Sequence, residues 1–458
     1  MYIKNHLDET NRYCAGEETE HWMLRTGVGL CVAAAFLLAL RIFGMLRGRA
    51  LVAFLAASCL FAIVVLLAKT VKLTKSQLGA VVMLGIIAIL FRLYFLDYQS
   101  LDYQDFLAKW AAYFRSNGGV AALGDQIGNY NFPYLYFLAL FSYIPMNDLY
   151  LIKFLSTAFD IILALYGMKL VLHLSENRNL GLACFFTLLM LPTVVANSSM
   201  WAQCDSIYTG FLLMMLYYAM QEQPSATMVC AALAFAFKLQ AIFLLPVLLV
   251  FWMMGRVRLK HFLLLPGVYL LSCLPAFLWG RPVADALLIY LEQADSTKHS
   301  LNYNAPSVFG LFRAPAEAIS LLSLLGILCS AALIFACCGV VFLRAKRMNN
   351  RDLLFVSLFL CIGIPFFLPS MHDRYFFLAD CLSVVAVFAV GASIPYPVAV
   401  QAASLFCYDA YFKRVYTLPL RVASALMGCA LVYTAYESFF KQEKAPKRAQ
   451  VQDDGGAS

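Results

Sequence analysis

The stretch EAISLLSLLGILCSAALIFACCGVVFL, residues 317–343, decides the fold class of this chain. It carries no charge after Glu317 and runs directly into the basic segment RAKRMNNR, residues 344–351. A helix that crosses about 30 Å of hydrocarbon needs roughly 20 apolar residues. Lys and Arg concentrate in the loops on the cytoplasmic side of a membrane. The stretch therefore predicts a membrane-spanning helix that ends in the cytoplasm.

The composition of the whole chain agrees with this local pattern. Of its 458 residues 62% are hydrophobic and 13% are charged, and the mean hydropathy is +0.76. A soluble globular protein has about 45–50% apolar and about 25% charged residues, because its surface must meet water. The composition excludes a soluble enzyme, a disordered protein and a nucleic-acid-binding protein. Open strands cannot span lipid, and so we expect an all-α polytopic membrane protein.

The apolar segments predict the membrane spans. Candidate spans lie near residues 24–46, 51–68, 77–96, 149–173, 180–196, 206–220, 225–254, 262–280, 317–343, 352–369, 375–395, 396–411 and 417–436. The segment 225–254 is long enough for two short spans, whereas 132–146 is apolar but short. We therefore expect about 12–13 transmembrane helices. We expect 132–146 to enter the membrane without crossing it.

Basic segments predict the orientation of the chain. They lie at 69–75, 256–260, 344–351 and in the tail 441–448, and the net charge of +8 needs no other explanation. Placing them in the cytoplasm leaves loops 97–131, 281–305 and 370–374 outside. Residues 1–22 are polar and mixed in charge, which predicts no cleavable signal peptide. The polar segment 441–458 is expected to be a disordered cytoplasmic tail.

The cysteines and Asp160 have structural rather than functional interpretations. The fourteen cysteines form no C-x-x-C pair and lie mostly in apolar runs, which favours buried thiols over a zinc site or a disulfide framework. Asp160 lies within the apolar run 149–173. We expect it to pair with Lys153 on the same helix.

The outer loop 97–131 contains the main candidate site. Apolar side chains recur at near-helical spacing from Phe106 to Phe114, which predicts an amphipathic helix on the outer face of the membrane. Asp102 and Asp105, three positions apart, share one face of such a helix. A carboxylate there could deprotonate an acceptor hydroxyl or hold a cation. A solvated loop with helix-capping acids is an equally good interpretation.

Polar side chains near membrane depth mark further candidate positions, because their burial in lipid is costly. They are Trp201, Gln203, Asp205, Lys238, Gln240, Asn302, Asn304, His372 and Arg374. Lys238 would bind an anion, and Arg374 with His372 could grip a phosphate. A tryptophan at a membrane boundary is more often an interfacial residue than a sugar ligand. The segment 369–375 also fits a simple polar turn.

The chain resembles the C-type (GT-C) membrane glycosyltransferases, most closely the GPI mannosyltransferase-like integral membrane proteins. The resemblance lies in DYQDFLAKW (102–110), NYNFPYLYFLAL (129–140), SMWAQCDSIY (199–208), FAFKLQAIFLLP (235–246) and MHDRYFF (371–377). It implies a GT-C-type helical bundle whose catalytic module is 77–395, with the external loop 97–131. Additional helices would lie within 1–76 and 396–440.

The resemblance also implies a reaction. It is an inverting transfer of a hexose, mannose or glucose, from a polyprenyl-phosphate donor to an acceptor hydroxyl on the extracytoplasmic side. Asp102 would be the general base, with Asp105 the neighbouring candidate. The resemblance assigns the donor phosphate to Lys238, His372 and Arg374, and the sugar or acceptor to Trp201, Gln203, Asp205, Gln240, Asn302 and Asn304. The family usually has glycine at the positions of Ala202 and Leu101.

The partners expected are the lipid-linked monosaccharide, a glycan, lipid or protein acceptor, and the bilayer itself, with no nucleic acid. No cofactor or metal is implied with certainty, and a divalent ion bridging Asp102 and Asp105 stays an alternative. The expected location is a bacterial cell membrane, or the endoplasmic reticulum membrane if the source is eukaryotic. A transporter or flippase of lipid-linked saccharide, a polysaccharide ligase and a member that only binds the sugar are the rival interpretations.

Overall fold

The computed structural model describes residues 48–296 and 300–441. The predicted span 24–46, the polar segment 1–22 and most of the predicted tail 441–458 lie outside the described residues. Within them most of the chain is helical. Two-residue strands, β1 (Asn302–Tyr303) and β2 (Met371–His372), form a parallel pair.

The α-helices are numbered in chain order. They are α1 (Gly48–Thr70), α2 (Lys75–Tyr94), α3 (Ala108–Ser116), α4 (Phe132–Phe141), α5 (Asp148–Ser175), α6 (Arg178–Leu189), α7 (Pro192–Val195), α8 (Asp205–Met220), α9 (Pro224–Phe237), α10 (Val247–Met253), α11 (Leu264–Leu278), α12 (Val283–Ser296), α13 (Ile319–Arg344), α14 (Asn350–Phe367), α15 (Phe377–Val390), α16 (Pro395–Lys413) and α17 (Leu420–Phe439). Tighter 3-10 turns occupy Gly119–Gly124, Leu239–Phe243, Leu259–Leu263, Val308–Gly310, Ala316–Ala318 and Ala345–Arg347, and wider π-helical turns occupy Tyr103–Leu107 and Ala196–Met200.

Seven helices within the described ranges are long and apolar enough to cross a membrane, which makes the chain a multi-pass membrane protein. They are Ala50–Thr70, Lys75–Tyr94, Asp148–Ser175, Leu259–Leu278, Ala316–Arg347, Asn350–Phe367 and Leu420–Phe439. The pair Arg178–Leu189 and Pro192–Met200, bent by 41°, would make an eighth span.

Within the described residues, which leave out the predicted span 24–46, this number is lower than the 12–13 transmembrane helices that the sequence predicts for the whole chain, because several apolar runs form shorter helices. The run 225–254 becomes the 14-residue α9, a 3-10 turn and the 7-residue α10. Helix α4, within the segment 132–146 that is not among the predicted spans, has ten residues. At 1.5 Å per residue it is about 15 Å long, too short to cross the hydrocarbon alone.

The core lies around α5, which packs against α6, α8 and α15. In its most apolar stretch 61% of the residues are buried, compared with 22% in the span containing α13. Helix α13 exposes a row of leucines that includes Leu321, Leu324 and Leu328. In a bilayer such a face meets lipid chains, which are as apolar as leucine.

The outer helix α3 buries its apolar side against protein. The sequence predicts an amphipathic helix lying on the membrane, and a helix is present at that place. However, Leu107, Trp110 and Phe114 are buried in one cluster with side chains from α4 and α5. Phe106 and Tyr113, which are also part of the predicted apolar stripe, are exposed. The stripe therefore positions α3 on the helical bundle.

A buried ion pair links α2 to the core. Both Arg92 and Asp160 are at most 5% exposed, and Arg92 Nη2 lies 2.7 Å from Asp160 Oδ2. Asp160 also accepts hydrogen bonds from the hydroxyls of Ser198 and Ser206. The predicted pairing of Asp160 with Lys153 is wrong. Seven residues separate the two along α5, which is about 10 Å of helix rise.

Lys153 instead caps the carboxyl end of α2. Its Nζ donates to the carbonyls of Phe95, Leu96 and Tyr98, at 2.6, 3.1 and 2.6 Å. The last carbonyls of a helix have no intrahelical partner, and a cation satisfies them well. The contact holds the turn that leads from α2 into the outer loop at Asp102.

Candidate functional site

A cavity of about 680 Å³ lies where the outer loop, the segment after α9 and the loop after α14 meet. Its polar lining includes Asp102, Asn129, Tyr130, Gln203, Lys238, Gln240, Gln293, His372, Asp373, Arg374, Tyr375 and Tyr411. Its apolar lining includes Phe106, Leu107, Trp110, Phe237, Phe243, Ile327 and Leu368. Ligand pockets typically measure about 300–1,000 Å³ and combine an apolar wall with a few convergent polar groups. The cavity fits this description.

Asp102 is the centre of the polar wall. Its Oδ2 accepts hydrogen bonds from Trp201 Nε1 at 3.0 Å, Gln203 Nε2 at 3.0 Å and Arg374 Nη1 at 3.2 Å. Its Oδ1 accepts from the Tyr411 hydroxyl at 2.8 Å. Since a carboxylate oxygen has two lone pairs, Oδ1 keeps room for one more donor.

The two π-helical turns lie next to Asp102 and Trp201 in the chain. One begins immediately after Asp102, and the other ends immediately before Trp201. π-Helix accounts for well under 1% of residues in proteins and is frequent at functional sites. Neither turn is predicted from the sequence, because hydrophobic periodicity does not distinguish a π-turn from an α-turn.

Trp201, which the sequence predicts to contact the sugar or acceptor, lies outside the cavity lining. Its side chain is fully buried and is not part of the cavity wall. The Tyr411 ring stacks on it with centroids 4.0 Å apart, and the Arg374 guanidinium lies 5.3 Å from its centroid. These contacts place the Trp201 ring against Tyr411 and Arg374, with its N–H on Asp102. Tyr411 was missed because it lies at the end of a predicted span and no sequence signal distinguishes it.

Between Trp201 and Gln203 the backbone turns sharply. Ala202 is fully buried with φ of 61°, in the left-handed region. The turn directs the amide of Gln203 to Asp102, while its Oε1 accepts from the Tyr130 hydroxyl at 2.9 Å. For an L-residue this conformation costs roughly 1–2 kcal/mol, and glycine avoids most of that cost.

We expect Ala202→Gly to retain the function of the cavity and Ala202→Val to abolish it. Valine adds a branched side chain where the backbone is already strained and no space is open. The glycine variant should melt within a few degrees of the wild type. Activity and melting temperature of both purified variants check this. An active valine variant would show that the turn does not position Gln203.

Lys238 and Asp205 form a buried ion pair beside Asp102. Lys238 is the extended residue between α9 and the 3-10 turn Leu239–Phe243, where the helical ladder is interrupted. Asp205 also accepts from Asn197 Nδ2 at 2.6 Å. Its Oδ2 lies 3.8 Å from Arg374 Nε. Arg374 therefore stands between the two carboxylates, Asp102 and Asp205.

His372 lines the cavity as a neutral group. Burial, with the nearby Arg374 charge, lowers the pKa of His372 to about 4. Its ring stacks on Tyr303, with centroids 4.7 Å apart and 8° between the planes. The sequence predicts a phosphate ligand here. At neutral pH the imidazole can offer a phosphate a hydrogen bond but no charge.

The remaining predicted residues separate into two groups. Gln240 lines the cavity. Asp105 is exposed, and it does not line the cavity that contains Asp102. Asn302 and Asn304 also lie outside the cavity lining. Asn302 Nδ2 donates to the Ala305 carbonyl at 2.9 Å and Asn304 Nδ2 to the Cys407 carbonyl at 2.7 Å, so both organise the loop around β1.

Within residues 48–296 and 300–441, no three His, Cys, Asp or Glu side chains come together as metal ligands. No protein-family model and no curated protein matches this chain. The function is therefore argued from the geometry of the cavity.

Proposed function

We propose that the protein is an inverting membrane glycosyltransferase of the GT-C type. It moves a hexose from a polyprenyl phosphate to an acceptor hydroxyl on the extracytoplasmic side. The observation that carries the proposal is the hydrogen bond between Asp102 and Arg374 in the wall of one cavity. It joins a carboxylate that can act as a base to a cation that can hold a phosphate.

The base is supported by its hydrogen bonds. In an inverting transfer the acceptor oxygen attacks the anomeric carbon from one side while the phosphate leaves from the other. A carboxylate within hydrogen-bond reach of the acceptor hydroxyl takes its proton. Asp102 is 22% exposed in its side chain and has acceptor capacity left on Oδ1. Trp201, Gln203 and Tyr411 restrain its orientation.

The phosphate site is supported by two cations in the same cavity. Arg374 presents a planar guanidinium suited to phosphate oxygens, and Lys238 lies nearby as a point charge. Positioned positive charges stabilise the negative charge that develops on a leaving group in the transition state. Gln203, Gln240 and Tyr130 offer uncharged polar contacts for the sugar hydroxyls.

The lipid part of the donor is supported by the apolar wall. Phe243, Ile327 and Leu368 line the cavity. Ile327 belongs to α13 and is 49% exposed on the face that meets lipid. A polyprenyl chain could therefore reach the polar groups from within the bilayer. The proposed location is a bacterial cell membrane or, in a eukaryote, the endoplasmic reticulum membrane.

The test uses purified protein in detergent with radiolabelled polyprenyl-phosphate mannose and polyprenyl-phosphate glucose. We expect one of the two labels to be released from lipid, and the labelled sugar then identifies the donor. No release, together with movement of label across sealed proteoliposomes, would favour a flippase. Transfer only of preassembled lipid-linked polymer would favour a ligase.

A further inference from the structure

Helix α12 (Val283–Ser296) has an apolar face that the described residues leave uncovered. Val283, Leu287, Leu288 and Leu291 are 53%, 63%, 46% and 66% exposed. In a helix of 3.6 residues per turn these four positions lie on one continuous side. A contiguous exposed apolar surface of this kind marks an interaction site. We call it the leucine face of α12.

The opposite side of α12 packs against protein. Ala286, Ile289 and Tyr290 are buried in one cluster with side chains of α11. The Tyr269 hydroxyl of α11 donates to the Ala286 carbonyl at 2.5 Å. Tyr290 and Gln293 also line the cavity that contains Asp102. Helix α12 therefore separates this cavity from the occupant of the leucine face.

The contact with Tyr269 places α12 beside a membrane span. Helix α11 belongs to the span Leu259–Leu278, and the predicted orientation puts Leu278 at the outer side. Tyr269 precedes Leu278 by nine residues, which is about 14 Å of helix rise, and helical side chains tilt toward the amino end of their helix. Ala286 thus lies within the apolar length of α11, although the loop 281–305 is predicted to be outside.

The exposed apolar surface of α11 continues onto α12. Leu271, Leu274 and Leu278 are 66%, 42% and 72% exposed. Trp279, 46% exposed, follows directly, and tryptophan is enriched at the boundary between lipid and water. Helix α12 begins four residues after Trp279, at Val283. The leucine face is therefore adjacent to a surface that meets lipid.

We propose that acyl chains of the outer leaflet cover the leucine face of α12. With 14 residues the helix is about 21 Å long, too short to cross the bilayer. Its acids, Asp285 and Glu292, lie on the flank between the leucine face and the buried side, and Asp285 Oδ2 is 2.7 Å from Arg281 Nε. Such a helix lies in the plane of the membrane, with its apolar face in lipid and its charges toward water. The inference goes beyond the proposed function and does not depend on it.

The test is quenching of tryptophan fluorescence in proteoliposomes. Phosphatidylcholine with brominated acyl chains quenches a tryptophan that touches the chains, whereas iodide quenches one that touches water. We expect Leu287→Trp to gain emission that bromine quenches as strongly as that of Leu321→Trp, on the exposed row of α13. Gln126→Trp, exposed in the outer loop, is the control and should respond to iodide. The wild-type protein supplies the signal of the five native tryptophans for subtraction.

Leu291→Trp repeats the measurement on the same face, in case Leu287→Trp does not fold. Quenching of these two tryptophans by iodide and not by bromine would overturn the inference, since water would then cover the face. Quenching by neither would also overturn it. A dimer in a mass measurement would then identify a second copy as the occupant, and a monomer another segment of this chain. No sugar donor takes part, so the result stands apart from the test of glycosyl transfer.

Discussion

Replacing Asp102 by asparagine is expected to lower sugar transfer by about 1,000-fold, within the range for loss of a general base. The amide cannot take a proton from the acceptor hydroxyl. It also replaces one of the two oxygens that accept from Trp201, Gln203, Arg374 and Tyr411 by an NH2 group, which can only donate. Release of label from the polyprenyl-phosphate donor measures the loss. Donor affinity should stay within a few-fold, because Lys238 and Arg374 remain.

Asp105→Asn is the matched control for the Asp102→Asn variant. Asp105 belongs to the same outer segment but is exposed and outside the cavity lining. We expect it to transfer sugar within about three-fold of wild type, since exposed substitutions away from specific contacts usually have small effects. If Asp105→Asn lost activity and Asp102→Asn kept it, the assignment of the base would be reversed.

Lys238→Met should destabilise the protein by about 3–5 kcal/mol and abolish transfer. The substitution leaves the carboxylate of Asp205, 2% exposed, without the nearer of its two ion-pair partners, so that only Arg374 at 3.8 Å remains. A buried charge that loses its partner typically costs that much. Chemical unfolding of the purified variant measures the loss of stability. Lys413→Met is the matched control. Lys413 is 62% exposed in its pair with Asp409, and such surface pairs contribute about 0–1 kcal/mol.

The double variant Lys238→Met with Asp205→Asn separates the structural role of Lys238 from the functional one. With both charges removed, we expect most of the stability to return. Transfer should stay low, because one phosphate-binding cation is missing. A double variant that is both stable and fully active would show that Lys238 serves only to neutralise Asp205.

Much of the helical framework could be predicted from the sequence. The run 317–343 corresponds to α13 (Ile319–Arg344), and 352–369 to α14 (Asn350–Phe367). Length and apolar composition are properties of a continuous segment, so they can be recognised without knowledge of the fold. An apolar run such as 225–254 satisfies these criteria even when a 3-10 turn and Pro246 divide it into shorter helices, so composition alone does not fix how many long helices form within the described residues.

The site residues could be recognised from the sequence one by one, but their arrangement in space could not. The chain by itself determined that this is a polytopic membrane protein, because no soluble surface could be built from its composition. It also identified Asp102, Gln203, Lys238 and Arg374 as polar side chains near membrane depth. Placing such groups there costs free energy, and so each of them needs a structural or functional reason. Only the tertiary structure brought them together. Asp102 meets Arg374 across 272 positions and Tyr411 across 309.

The structure also decided what each group can do. It buried Trp201 under Tyr411, made His372 neutral and left Asp105 exposed. Access and protonation depend on burial and on neighbours that come from distant segments. A local sequence pattern contains neither, and so it identifies polar side chains but not their exposure or their protonation.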